Sequence, residues 1–142
     1  MTPRLRAFLP AALWFLLIMV LLSLPGSSFP EVRFWKPDKI AHIGLFGMQT
    51  LLLWIAIATA HRDTGEHTAA AARRRLAPLL IAALWTLLFG ALSEYYQDVF
   101  TSRLADPYDI IANAIGIAAA VIVVIAAGRE RVLRFARRAL RM

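Results

Sequence analysis

A set of polar side chains falls in a fixed order along this chain: Asp38-Lys39-x-x-His42, Glu94-x-x-Gln97, Arg103, Asp106 and Asp109-x-x-x-Asn113. Asp38 and His42 are four residues apart, which on a helix stacks them on one face. Asp109 and Asn113 repeat that spacing, and Glu94 and Gln97 sit three apart. Carboxylates beside an imidazole suit general acid–base work, with His42 as base and Glu94 as acid, and such carboxylates can hold a divalent metal. Imidazole is the side chain that titrates nearest neutrality. Lys39 and Arg103 offer full positive charge to a phosphate or carboxylate group. Helix starts near Asp38 and Asp109 would add the partial charge of their N-termini. Glu94, Asp106 and Asp109 would compete with an anion unless they pair with Arg103 or bind a cation.

The plainer reading of each residue is structural. Asp at a helix start is a common N-cap, and Asn113 can simply bond a neighbouring helix. Other routes to chemistry are closed. Cys is absent, which removes disulfides, thiolate metal sites and a Cys nucleophile. There is no Gly-rich phosphate loop, no His-Glu-x-x-His and no Gly-x-Ser-x-Gly. No cofactor is expected.

The elements that must carry these residues are apolar. Of 142 residues, 60% are hydrophobic and 18% charged. Mean hydropathy is +0.63, which excludes a disordered chain and disfavours a water-soluble globule. Four apolar stretches run from about Ala7 to Leu24, Ile40 to Ala60, Leu76 to Ser93 and Ile110 to Ala127. Each is about 18–21 residues, enough for a helix to cross a hydrocarbon core of about 30 Å. Unpaired backbone groups are not tolerated in lipid, so the stretches are predicted to be transmembrane helices. Leu24-Pro25-Gly26-Ser27-Ser28 stops the first, and His61-Arg62-Asp63-Thr64-Gly65-Glu66 stops the second. Pro78 is expected in the first turn of the third, where proline is tolerated. Polar residues at membrane depth are costly and mark function by default, so the set as a whole outweighs the structural reading of each member.

Charge orients the bundle. Arg4, Arg6, Arg62, Arg73, Arg74, Arg75 and the six tail arginines from Arg129 to Arg141 make 12 basic residues against three acids, a net +9. The other two connections carry Arg33, Lys36, Lys39 and Arg103 against six acids, a net −2. The positive-inside rule then places both termini and the middle loop in the cytoplasm. This one-sidedness accounts for the net charge of +7 without nucleic acid. The first span has the basic start and apolar middle of a signal peptide. Its apolar part is long and no small-x-small site follows, so an uncleaved helix is expected.

The tail, 128–142, is expected to be a basic amphipathic cytoplasmic helix following a four-span domain at 1–127. Arg131, Arg134, Arg138 and Arg141 would share one face, with Val132, Phe135, Ala136, Ala139 and Leu140 on another. Such a helix can lie on an anionic leaflet or simply anchor topology. Ala112, Gly116 and Ala120 form a small-residue stripe for close helix approach, as do Gly44 and Gly47. Phe29, Phe34 and Trp35 are expected at the outer interface. A shift of 71 residues pairs Ala11-Ala12-Leu13-Trp14 with Ala82-Ala83-Leu84-Trp85, Phe29 with Phe100, Asp38 with Asp109 and His42 with Asn113. It predicts two hairpins in the same orientation, related by an axis along the membrane normal.

The ordered series from Asp38-Lys39-x-x-His42 to Asp109-x-x-x-Asn113-x-x-Gly116 resembles the VanZ-like family of small bacterial membrane proteins. The resemblance spans all four apolar stretches, roughly Leu5 to Ala127, and leaves out the arginine-rich tail. It implies a multi-pass bacterial plasma-membrane protein. The family's namesake is associated with low-level resistance to the glycopeptide antibiotic teicoplanin. The resemblance supplies no reaction.

Together these residues predict an all-α, four-helix transmembrane bundle. Its outer-leaflet site would take an anionic lipid or a lipid-linked cell-wall precursor. In that site Lys39 and Arg103 would contact the anion, and Asp38, His42, Glu94, Gln97, Asp106, Asp109 and Asn113 would shape the pocket. An intramembrane hydrolase or transferase acting on a lipid phosphate is the first alternative. A structural or assembly protein, in which the polar set only locks the helices, is the second. A transporter is the weakest, because four helices make a small pathway and a homo-oligomer would be needed.

Overall fold

The computed structural model describes residues 3–24, 37–60, 69–101 and 106–139. They form five helices: α1 (Pro3–Ser23), α2 (Pro37–Ala60), α3 (Ala69–Phe100), α4 (Pro107–Ala127) and α5 (Arg129–Ala139). No strand occurs among the described residues. The first four helices are each long and apolar enough to cross a membrane. No more than 39% of any of these apolar windows is buried within the bundle, so most of their Leu, Ile and Val side chains face outward. Water would not tolerate that surface and lipid does, which marks a membrane protein.

The bundle is organised around α2, which packs against α1, α3 and α4 and meets α4 most extensively. Close approach of α2 and α4 depends on glycine. A Cβ on Gly116 would collide with the Ile43 carbonyl, and one on Gly47 would lie 3.0 Å from the Gly116 oxygen. Ala112, Gly116 and Ala120 are all buried, as the stripe predicted. Gly44 takes no part: it is exposed, and a Cβ there would meet nothing within 4 Å. The expected pairing of Gly44 with Gly47 therefore reduces to Gly47 alone, because only Gly47 meets the α4 backbone.

An aromatic layer joins α1, α2 and α3. Phe15 and Phe89 have ring centroids 4.6 Å apart, and Phe46 and Phe89 5.3 Å. Ile18 and Leu22 complete this cluster. The Trp14 indole donates to the Leu45 carbonyl at 2.9 Å, joining α1 to α2. Trp14→Phe keeps the ring but removes this donor. It should lower stability by about 1 kcal/mol, measured by thermal unfolding in detergent, with the bundle otherwise unchanged.

Two boundaries differ from expectation. Helix α3 begins at Ala69, so Pro78 lies inside it rather than in its first turn. Proline there cannot donate to the carbonyl four residues earlier, and its ring is buried in the bundle. Helix α3 also continues past Ser93 to Phe100. Glu94 and Gln97 are inward-facing members of a continuous helix, not residues that end it.

Gly128, at φ +80°, caps α4 and turns the chain into α5. This left-handed conformation costs glycine least. Helix α5 then docks on the bundle end through Leu133 and Ala136, which join Trp54, Ile55, Ala58, Leu79, Ala82 and Val124 in one core cluster. The apolar face differs from the predicted one. Ala136 is buried and Val132 partly so, but Phe135 and Ala139 are exposed, and Leu133 is the main anchor. Contact with the bundle, rather than with lipid alone, sets the rotation of this helix. Arg131, Arg134 and Arg138 are exposed as expected, while Leu140 and Arg141 lie outside the described residues.

The 71-residue correspondence has one contact in common with the structure. His42 and Asn113, paired by the shift, bond one another, as residues astride a shared axis would. The exchange is incomplete: α2 packs against α3, but among the described residues α1 does not touch α4.

Candidate polar site at one rim of the bundle

Three helix ends meet at one rim. Helix α2 starts with Pro37, a favoured first residue, and places Asp38 and Lys39 in its first turn and His42 a turn deeper. Helix α4 starts in the same way. Asp106 is its N-cap, accepting from the Tyr108 amide at 2.9 Å, and Pro107 follows. Asp109 lies in its first turn and Asn113 below. Helix α3 runs the opposite way, so its far end delivers Glu94 and Gln97 to the same level.

Lys39 is the centre of charge. Its Nζ donates to Asp106 Oδ2 at 2.6 Å and to Asp109 Oδ1, and lies 3.6 Å from Asp38 Oδ2. His42 is the centre of the second layer. Its Nδ1 is 2.9 Å from Asn113 Oδ1, and its ring stacks on Phe46 with planes 6° apart. An amide oxygen only accepts, so Nδ1 carries the proton in this arrangement. The opposite nitrogen, Nε2, faces Asp109 Oδ2 at 3.8 Å and Asp38 Oδ1 at 3.9 Å. Both are beyond hydrogen-bond range.

Glu94 is 4% exposed. One carboxylate oxygen accepts from the Asp106 amide at 3.4 Å, and the other is buried without a partner among the described residues. Asp109, His42 and Lys39 are its electrostatic neighbours. Gly90 lets the Asn113 amide lie against α3, since a Cβ there would be 3.0 Å from Asn113 Nδ2. The Asn113 Nδ2 group is itself buried and unpartnered among the described residues.

Asp38, Lys39, His42, Glu94, Asp106, Asp109 and Asn113 thus share one neighbourhood. Gln97 reaches the same rim, but its amide nitrogen donates to the Leu22 carbonyl at 3.3 Å and braces α1. Arg103 lies outside the described residues, as do Phe29, Phe34 and Trp35. Lys39 is engaged by carboxylates instead of standing ready for an anion. The described cluster contains four carboxylates against one ammonium and one imidazole, so it is acid-rich.

Some buried polar residues were not singled out by the sequence reading. Thr50 and Ser93 turn their hydroxyls back to their own helices, onto the Phe46 and Gly90 carbonyls. Gln49 Oε1 and Thr86 Oγ1 are buried without partners among the described residues. Their signal was an amide and a hydroxyl inside apolar spans, where each is costly.

This arrangement can accept hydrogen bonds from hydroxyls, bind a cation, or relay a proton through His42. Compared with known proteins, the chain matches no family model, no curated protein and no solved structure.

Proposed function

We propose that this chain is a VanZ-like protein of the bacterial plasma membrane that binds the headgroup of an anionic lipid or lipid-linked envelope precursor at its outer rim. Both termini and the middle loop are cytoplasmic in this reading, following the arginine distribution. The supporting observation is the convergence of ionisable side chains from α2, α3 and α4 on one rim, opposite the end where arginine-bearing α5 docks. Ionisable groups so placed at membrane depth have a functional reading by default. A headgroup carrying both hydroxyls and phosphate suits the mixture. The carboxylates accept from hydroxyls and the amides can donate to them, while Arg103 is the cation for the phosphate. Occupancy of a cell-wall precursor would alter teicoplanin access to its lipid-anchored target.

The test is lipid binding by the purified chain in nanodiscs, comparing phosphatidylglycerol with a polyprenyl-phosphate-linked saccharide. Arg103→Ala is expected to weaken binding about tenfold, the loss of one charge-assisted contact. Equal binding by wild type and Arg103→Ala sinks this site.

The placement of His42 favours a second reading, a hydrolase or transferase acting on a lipid phosphate. Its Nε2 lies between two carboxylates, with Glu94 beside it, so base and acid are close together. Turnover of lipid phosphate in the same nanodiscs, lost in His42→Ala combined with Glu94→Gln, supports it. Turnover that survives both changes excludes it.

A further inference from the structure

We infer that Asp38, His42 and Asp109 form a binding site for one divalent cation of the zinc or manganese class. The donor atoms His42 Nε2, Asp38 Oδ1 and Asp109 Oδ2 face each other, and one ligand atom from each residue lies within 4.8 Å of the others. A metal with ligands at about 2.0–2.2 Å sets neighbouring donors about 3–4 Å apart. The observed 3.8 and 3.9 Å are too long for hydrogen bonds and suit donors that share an ion.

The surroundings prepare each ligand. His42 Nδ1 is committed to Asn113 Oδ1, which leaves Nε2 as the ring nitrogen on the side of the two carboxylates. Three such donor atoms repel one another when none carries a proton, and a cation between them turns that repulsion into attraction. Lys39 holds the other oxygen of Asp109 and lies beside the other oxygen of Asp38. Each carboxylate is therefore turned with its remaining oxygen toward His42. Outer contacts of this kind orient metal ligands and fix their protonation.

Charge and burial point the same way. Asp109 and Glu94 are 3% and 4% exposed, and Asp109 lies against both Lys39 and the His42 ring. Glu94 Oε1 is buried with no partner among the described residues, beside the same cluster. A divalent cation there would place positive charge beside these two buried carboxylates. One imidazole with two carboxylates matches zinc or manganese better than calcium or magnesium, which take oxygen ligands.

Three protein ligands also leave a coordination position open toward the rim. A headgroup phosphate oxygen could fill it, so that an acid-rich cluster accepts an anion. Only this last step rests on the headgroup reading.

The test uses the full chain in detergent, stripped with EDTA and titrated with Zn2+ and with Mn2+. Mn2+ is followed by electron paramagnetic resonance and Zn2+ by metal content after dialysis. The expected result is saturable binding of one ion per chain, with a rise in melting temperature. Asp38→Asn removes one ligand at a half-exposed position and should weaken binding at least tenfold with the fold intact. His42→Ala should abolish binding. The exposed Asp98→Asn at the same rim should bind as wild type. Absence of saturable binding to the stripped wild type overturns the proposal, and so does equal affinity in Asp38→Asn. Should His42→Ala fail to fold, Asp38→Asn decides. Metal binding without lipid binding leaves the cation site standing and refutes the headgroup reading alone.

Discussion

Replacing Lys39 with methionine should destabilise the protein by about 3–5 kcal/mol, the range for stranding one side of a buried ion pair. The Lys39 ammonium is the shared partner of Asp106 and Asp109 and lies close to Asp38, so its loss leaves three carboxylates without their common counter-charge. Asp109 has almost no access to water, and Glu94 next to it is equally enclosed. Methionine preserves the bulk of the stem, so the change isolates charge from packing. Part exposure of Lys39 puts the effect toward the lower end of the range. Chemical unfolding in mixed micelles would measure it. Adding Asp109→Asn to the methionine variant should recover part of the loss, because one stranded charge is then gone. Unchanged stability in the single variant would mean that the carboxylates do not depend on Lys39, and the electrostatic account of the rim would fail. The purely structural reading of the polar set predicts the same loss without any loss of ligand binding at matched folding, which is how the two are told apart.

The second large effect is steric. Gly116→Ala should cost about 1–3 kcal/mol, the usual penalty for overpacking a tight contact, and Gly116→Leu more. The obstacle is the backbone of α2, since the added atom would strike the Ile43 carbonyl. A helix backbone cannot rotate aside as a side chain can, so α2 and α4 must separate. His42 directly precedes Ile43 and Asn113 lies one turn nearer the rim than Gly116, and their bond should break with the separation. Gly116→Leu is therefore expected to lose rim binding as well as stability. Gly44→Ala is the control. It meets nothing, and alanine is the better helix former by about 0.8–1.0 kcal/mol. Its melting temperature should hold or rise. Equal loss in the two variants would remove the close-approach argument.

The fold was legible where one physical rule dominated. In lipid a long apolar run has no option but helix, so four spans could be read from hydropathy. The upper part of α3 was not legible in this way. Glu94, Tyr95, Tyr96, Gln97 and Asp98 look like the end of a span, and only packing against α1, α2 and α4 shows that the helix continues. The convergence of Asp38, His42, Glu94 and Asp109 followed from alternating helix direction, which brings every second end to the same level. The partners did not follow. Sequence spacing left Lys39 facing an anion, whereas the structure gives it to Asp106 and Asp109. Spacing along one helix says nothing about charges that arrive from another. The tail showed the same limit, since Leu133 became its anchor only because the bundle end offered Trp54 and Val124 to meet it.

Among the described residues the fully buried polar side chains run from the rim to Gln49 and Thr86, at the turn above Trp54, and beyond them only the Thr59 hydroxyl and the Arg129 Nε are enclosed. Below, Trp54, Ile55, Leu79, Val124 and the docked Leu133 close the interior with hydrocarbon. Among the described residues the interior thus has the form of a cul-de-sac rather than a conduit. A molecule bound at the rim would have to depart by the same doorway, and a change in the occupied state would reach the opposite end of the bundle only as a tilt or slide of the helices that the plug holds together.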